Sequence, residues 1–141
     1  MTEEIQIVQL EKPDDAAWEA VGFGLHKYNI QQAGDQQGGH VCFVLRDAEG
    51  NTVGGLIGEV HWRWFYLNLL IVNEELRGRG YGHQLLTLAE EEARKLGAKN
   101  AYLDTFSFQA PDFYRQHGYQ VFGELKEFPP GHQRYYFTKQ L

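Results

Sequence analysis

The run Arg77-Gly78-Arg79-Gly80-Tyr81-Gly82 limits what this chain can fold into more than any other stretch. It follows the apolar run Leu69-Leu70-Ile71-Val72 and precedes a long amphipathic segment beginning at His83, so the order reads strand, glycine loop, helix. Glycine tolerates positive φ and lets the backbone come close to a ligand. The first amides of the following helix have no partner within it, and the positive end of the helix dipole lies behind them. Two arginines add to the same field. These features together describe an anion site, most naturally for phosphates.

Two familiar phosphate loops do not fit. No GxxxxGK[ST] run occurs, which excludes a Walker loop. A dinucleotide fingerprint starting at Gly80 would need glycine at position 85, where Leu85 stands. A plain strand-to-helix turn is the remaining alternative, but such a turn rarely requires three alternate glycines.

The elements around the loop suggest a mixed sheet. Leu85, Leu86, Ala89, Ala93 and Leu96 form one helical stripe, with Gly97 as its C-terminal cap. The acid run Glu90-Glu91-Glu92 is expected on a solvated helix face. Ala101–Thr105 follows as a strand, so that strand, loop, helix and strand span the length of a right-handed parallel crossover. Upstream, Ile5, Ile7 and Leu10 predict a first strand. A helix is then expected from Pro13-Asp14 to about Gln32, capped by Asp14 and carrying Trp18, Val21, Leu25 and Tyr28 at helical spacing, with a join near Gly22 and Gly24. Val41–Leu45, Thr52–Trp62 and Trp64–Val72 read as strands, the last two antiparallel to each other. A short helix over Ala110–His117 and strands over Gln120–Leu125 and Arg134–Lys139 complete the chain.

Length and composition narrow the class. At 141 residues a single domain over 1–141 is expected, and 43% hydrophobic with 14% aromatic residues argues for a packed globular protein. A net charge of −6 argues against nucleic-acid or anionic-membrane partners and suits a cationic small molecule. The one cysteine, Cys42, is expected as a buried strand thiol, and neither a disulfide framework nor a CxxC metal pair is available. The start Met1-Thr2-Glu3-Glu4 has no signal-peptide pattern. No apolar run approaches the ~20 residues that span a bilayer, so a cytoplasmic protein is expected.

Arg77-Gly78-Arg79-Gly80-Tyr81-Gly82 matches the [QR]-x-x-G-x-[GA] signature of the GNAT superfamily of acyl-CoA-dependent N-acetyltransferases. Ala110-Pro111-Asp112-Phe113-Tyr114-Arg115-Gln116-His117-Gly118-Tyr119 resembles that family's A-x-x-x-Y-x-x-x-G-[FY] segment, and the order of elements agrees along nearly the whole chain. Asp104–Pro111, Pro130-Gly131-His132 and Lys139-Gln140-Leu141 are similar to a set of small bacterial members of mostly unassigned substrate. The resemblance implies an α/β (α+β) fold: a mixed, mostly antiparallel sheet of six to seven strands flanked by helices, with a parallel crossover between the family's fourth and fifth strands. Those two strands splay apart, often at a bulge.

The resemblance also implies the chemistry. Acetyl-CoA would be the co-substrate, with no metal. Backbone groups of Leu70, Ile71 and Val72 would receive the pantetheine arm, and the loop Arg77, Gly78, Arg79, Gly80, Tyr81, Gly82 with His83 would take the pyrophosphate. Tyr114 would protonate the departing thiolate, packing alone being the alternative. Tyr66 stands where several relatives carry a glutamate base, which leaves Glu59, His132 or ordered water to take the amine's proton. Ser107 replaces an asparagine that contacts the cofactor in many relatives. Asn29, Tyr66 and Asn68, with Glu59 and His132, are available to an acceptor. The expected activity is N-acetylation of a primary amine of a small molecule by direct attack in a ternary complex. A non-catalytic acyl-CoA-binding module and a protein N-terminal or lysine acetyltransferase are the alternatives. Homodimers are common among relatives.

Overall fold

A computed structural model describes residues 4–141; the polar start Met1-Thr2-Glu3 lies outside them. The chain forms two compact units, one ending at Asp35 and one over Gln36–Leu141.

The first unit is helical. α1 (Asp15–Ala17), a π-helical stretch (Trp18–Phe23) and α2 (Gly24–Ala33) follow one another without a break. Asp14 caps the start as expected, its Oδ1 accepting the Ala17 amide at 2.8 Å. The π turn falls where Gly22 and Gly24 predict a join, and Gly34 at φ +85° ends the helix. The strand expected over Ile5, Ile7 and Leu10 does not form. Residues 4–10 carry no regular structure and pair with no strand of the sheet, and all three side chains are exposed. An alternating apolar run becomes a strand only when another strand takes its amides and carbonyls.

The second unit is one six-stranded sheet with helices packed on it. Its elements are β1 (Gly39–Arg46), β2 (Thr52–His61), β3 (Trp64–Val72), a 3₁₀ turn (Glu74–Leu76), α3 (Tyr81–Lys95), β4 (Asn100–Phe106), α4 (Pro111–Gln116), β5 (Gln120–Lys126) and β6 (Gln133–Gln140). The strand order is β1-β2-β3-β4-β6-β5. Every neighbouring pair is antiparallel except β3 and β4, which α3 joins as a parallel crossover. This is the mixed sheet expected, and β3 and β4 stand for the family's fourth and fifth strands.

Alternation along the strands sends Val41, Leu56, Phe65, Leu67, Leu103 and Phe137 into the core, where they meet Leu85, Leu86, Ala89 and Ala93 of α3. A side chain such as Leu86, fully buried, contributes roughly 1.5–3 kcal/mol. Past the end of α3, Gly97 at φ +96° lets the Ala98 amide reach back to the Ala93 carbonyl at 2.9 Å.

Two expectations are corrected here. Cys42 is exposed, because its neighbours Val41 and Phe43 take the inward positions of β1 and the strand period turns Cys42 outward. Glu90 is only 5% exposed, not on a solvated face. It lies on the Leu86-Ala89-Ala93 stripe, where Lys139 Nζ contacts both its oxygens at 2.8 and 3.0 Å and the Tyr119 hydroxyl donates at 2.9 Å.

Candidate active site

The sheet opens where the sequence asks for a ligand. β3 and β4 pair only over Trp64↔Asn100, Phe65↔Ala101 and Tyr66↔Tyr102. Beyond Tyr66, β3 stays paired to β2 on one side and β4 to β6, but no strand of the described residues pairs with the facing edges. The split coincides with a bulge. Ile57 opposes Leu69 and Gly58 opposes Leu67, so Asn68 is the extra residue of β3. Gly58 is required there, since a Cβ would lie 2.5 Å from the Tyr66 carbonyl oxygen. Leu70, Ile71 and Val72 therefore line one arm of a fork, with backbone groups left over on the β4 side.

The glycine loop closes the far end of that arm. Gly78 and Gly80 take φ +78° and +86°, the left-handed region. A Cβ at either would meet nothing within 4 Å, so the conformation, not crowding by the protein, calls for glycine. Gln84 is the first amide to bond within α3, to Gly80 O at 3.1 Å. The amides of Tyr81, Gly82 and His83 thus stay outside the helix's own ladder, at its positive end. Gly82 serves packing: a Cβ would stand 3.3 Å from the Phe113 ring. Arg77 turns back, its Nε donating to Val72 O at 2.8 Å and tying the loop to the end of β3. Arg79 is exposed and forms no ion pair among the described residues. His83 Nδ1 lies 2.7 Å from His117 Nε2, the rings stacked at 4.9 Å. Burial, and next His83, hold His117 below the usual imidazole range.

Tyr114 sits on α4 with its ring against Phe113, Tyr119 and Phe137, only 6% exposed. Its hydroxyl makes no hydrogen bond, yet no buried polar side-chain atom of the described residues lacks a partner, so Oη is reached by solvent. Burial first, and the Asp104 charge second, push the phenol up to about 12. The hydroxyl therefore feels the stretch of β4 that has left β3. Ser107 is engaged elsewhere. Its Oγ accepts the Gln133 amide at 3.1 Å and its own amide donates to Gln133 O at 2.8 Å, extending the β4–β6 ladder, so the hydroxyl keeps its proton and one lone pair to offer.

On the opposite face, register lines up Glu59, Tyr66 and Tyr102 across β2, β3 and β4 at the fork's closed end. Tyr66 and Tyr102 stack at 4.8 Å and 21°, with Trp64 edge-on to Tyr102 at 5.9 Å. The Tyr66 hydroxyl donates to Asn68 Oδ1 at 3.4 Å. Burial and then Asp104 raise Tyr66; burial and then Glu59 raise Tyr102, so both phenols stay protonated at neutral pH. His132 sits in the loop before β6, edge-on to Phe108 at 5.0 Å. Asn29 belongs to α2, in the other unit.

The sequence reading missed Tyr102, Asp104, Arg134 and His117. Alternation in Ala101-Tyr102-Leu103-Asp104-Thr105 already places Tyr102 and Asp104 on one face, opposite the buried Ala101, Leu103 and Thr105. Arg134 bonds Asp104 at 2.7 and 2.8 Å, a pairing that only the β4–β6 register reveals.

Comparison with known proteins agrees with this geometry. Residues 4–119 match the model described as the acetyltransferase (GNAT) family. The acetyltransferase Atu2258 of Agrobacterium fabrum is 33% identical over 128 residues, 91% of this chain and 93% of its own. The blasticidin-S acetyltransferase of Streptomyces morookaense is 38% identical over 93 residues, 65% of this chain and 68% of its own. A crystal structure of an acetyltransferase from Bacillus cereus superposes with a TM-score of 0.85 at 33% identity, covering 95% of this chain and 98% of that one.

Proposed function

The chain belongs to the GNAT family of acyl-CoA-dependent N-acetyltransferases, and from that premise we propose that it acetylates the primary amine of a small molecule, by direct attack within a ternary complex. The observation that carries this reading is the fork between β3 and β4, whose β4 strand carries the Asp104 charge that acts on the solvent-reached phenol of Tyr114. Acetyl-CoA, when bound, supplies an activated acyl group as a thioester. The residues present suit it: unladdered amides at Tyr81, Gly82 and His83 for the pyrophosphate, and the unpaired backbone edge at Leu70, Ile71 and Val72 for the pantetheine amides.

Within that frame, each residue has a distinct task. Backbone N–H groups of β3 beyond Tyr66 are available to a polarised carbonyl oxygen. Tyr114 holds its proton throughout the neutral range and has no competing acceptor, as a donor to a thiolate requires. Glu59 lies at the fork's closed end and draws a positively charged acceptor by its charge. We assign the amine's proton to ordered water rather than to Glu59 or His132. Asn68, displaced by the bulge, offers its amide to the acceptor, and the likeness to a blasticidin-S acetyltransferase supports a small acceptor over a protein.

The test is calorimetric titration with acetyl-CoA beside dephospho-CoA and NAD, followed by thiol release on a panel of primary amines. Saturable binding of acetyl-CoA, silence of NAD and amine-dependent thiol release are expected. A non-catalytic binding module would bind acetyl-CoA and release no thiol with any amine. Absence of binding to folded protein would remove the reading altogether.

A further inference from the structure

The outer face of the sheet already holds one flat cation. The Arg134 guanidinium pairs with Asp104 and lies over the rings of Phe106, Tyr136 and Phe128 at 5.4, 5.4 and 5.0 Å. A carboxylate beneath a planar cation, with aromatic faces around it, is a stable arrangement on this surface. Next to it, at the closed end of the fork, the same ingredients recur. Glu59, Tyr66 and Tyr102 share one cross-strand row, the two rings are stacked, and Trp64 stands edge-on. Here no cation of the chain is seated. Glu59 forms no ion pair, and no Lys or Arg lies over Tyr66, Tyr102 or Trp64 among the described residues.

The charges facing this row have a definite sign. Asp104 is neutralised by Arg134. His40, opposite Glu59 on β1, is exposed and forms no ion pair with it. The phenols of Tyr66 and Tyr102, both raised, stay uncharged at neutral pH. The Glu59 carboxylate is thus left over, beside rings that favour a planar partner. An anionic acceptor would meet repulsion there, and an aliphatic amine would leave the ring faces unused.

From the stacked Tyr66–Tyr102 pair beside the unpaired Glu59 carboxylate, we infer that Tyr102 determines acceptor specificity, selecting amines that also carry a flat cationic group such as guanidinium. The inference rests on the fork being the site of acetyl transfer. It divides the acceptor into two parts: a flat cation held on the row, and a separate primary amine reaching into the fork. Such a group remains charged while the reacting amine loses its proton, because a guanidinium does not titrate in the working range.

The test is calorimetric binding to the protein saturated with CoA, using agmatine, n-butylamine and 4-aminobutyrate. All three present a primary amine on a four-carbon chain, or one methylene less, and differ in the group at the other end. Agmatine is expected to bind at least tenfold more tightly than n-butylamine, and 4-aminobutyrate more weakly than either. Tyr102→Leu should reduce the agmatine preference to less than threefold, while Tyr102→Phe keeps it, since the ring face and not the hydroxyl carries the contact. Near-equal affinity of agmatine and n-butylamine, no agmatine binding, or a preference unchanged in Tyr102→Leu would each overturn the inference. CoA binding itself is read in the same instrument. Its loss would overturn the proposed function, whereas CoA binding without agmatine preference would overturn only the inference.

Discussion

Removing a single oxygen from Tyr114 separates a catalytic role from a packing role. In Tyr114→Phe the ring keeps its contacts with Phe113, Tyr119 and Phe137, at centroid distances of 5.2, 5.9 and 6.1 Å. The hydroxyl makes no hydrogen bond to the described residues and is reached by solvent, so the usual loss of about 1 kcal/mol per broken internal bond does not arise. Folding stability should therefore stay within about 0.5 kcal/mol of the parent at neutral pH, the range of substitutions that disturb no such feature. Catalysis should behave otherwise. A positioned general acid contributes roughly 10²–10⁴ in rate, which is about 3–5 kcal/mol of barrier. We expect kcat to fall at least a hundredfold while the acetyl-CoA dissociation constant moves less than threefold.

Acidity gives a second readout on the same residue. Tyr114 ionises only near 12, above the ordinary phenol value of 10, because burial and Asp104 disfavour the anion. The proton donor is thus fully present from pH 7 to 10, and its ionisation imposes no alkaline fall in kcat over that range. Stability carries the opposite signature: the unfolded phenol ionises first, so stability present below pH 10 is lost as pH rises toward 12. Tyr114→Phe should remove that loss. The assays are thiol release under saturating acetyl-CoA, calorimetric affinity, and urea unfolding at pH 7 and pH 11. A kcat within threefold of the parent, or a loss expressed equally in affinity and turnover, would refute the role.

Three further outcomes follow from particular contacts. Gly80→Val forces a β-branched residue to φ +86°, at a cost of roughly 1–3 kcal/mol, and should weaken acetyl-CoA binding more than tenfold by calorimetry; unchanged affinity would mean the pyrophosphate site lies elsewhere. Glu90→Ala leaves the Lys139 ammonium and the Tyr119 hydroxyl without their shared partner and should cost about 3–5 kcal/mol in urea unfolding, whereas the double change Glu90→Leu with Lys139→Met should recover most of it. Burial and His83 hold His117 low, and an anion bound at the start of α3 favours the charged imidazole, so CoA binding should take up protons and tighten as pH falls through the titration of His117; calorimetry in two buffers of different ionisation enthalpy should show uptake in the parent and less in His117→Phe.

What could be read from the sequence was local. The glycine loop, the helix stripe and the alternation within each strand depend on neighbours a few residues apart, and β3 begins and ends where its apolar run does. Errors arose where the deciding partner is distant in sequence. Glu90 reads as solvated in an acidic triplet, yet the helix period places it on the buried stripe, and Lys139, forty-nine residues on, makes that burial tolerable. Ile5, Ile7 and Leu10 alternate like a strand, but alternation supplies no pairing partner. Cys42 follows composition in one reading and strand phase in the other, and the phase decides.

The site divides along the same line. Its proposed cofactor half is a contiguous stretch from Leu70 to His83, which a signature of six residues points to. The acceptor half is a row across three strands: Glu59, Tyr66 and Tyr102 are brought side by side by register, and the bulge at Asn68 sets that register where β3 leaves β4. A one-residue slip in β3 would turn Tyr66 inward and Phe65 outward, dismantling the row while the glycine loop stayed intact. Donor binding and acceptor choice thus rest on different structural levels, one on local backbone and one on sheet register. If the proposed site holds, substitutions on the outer face of β2, β3 and β4 should change which amine is accepted without touching the loop proposed to hold the donor.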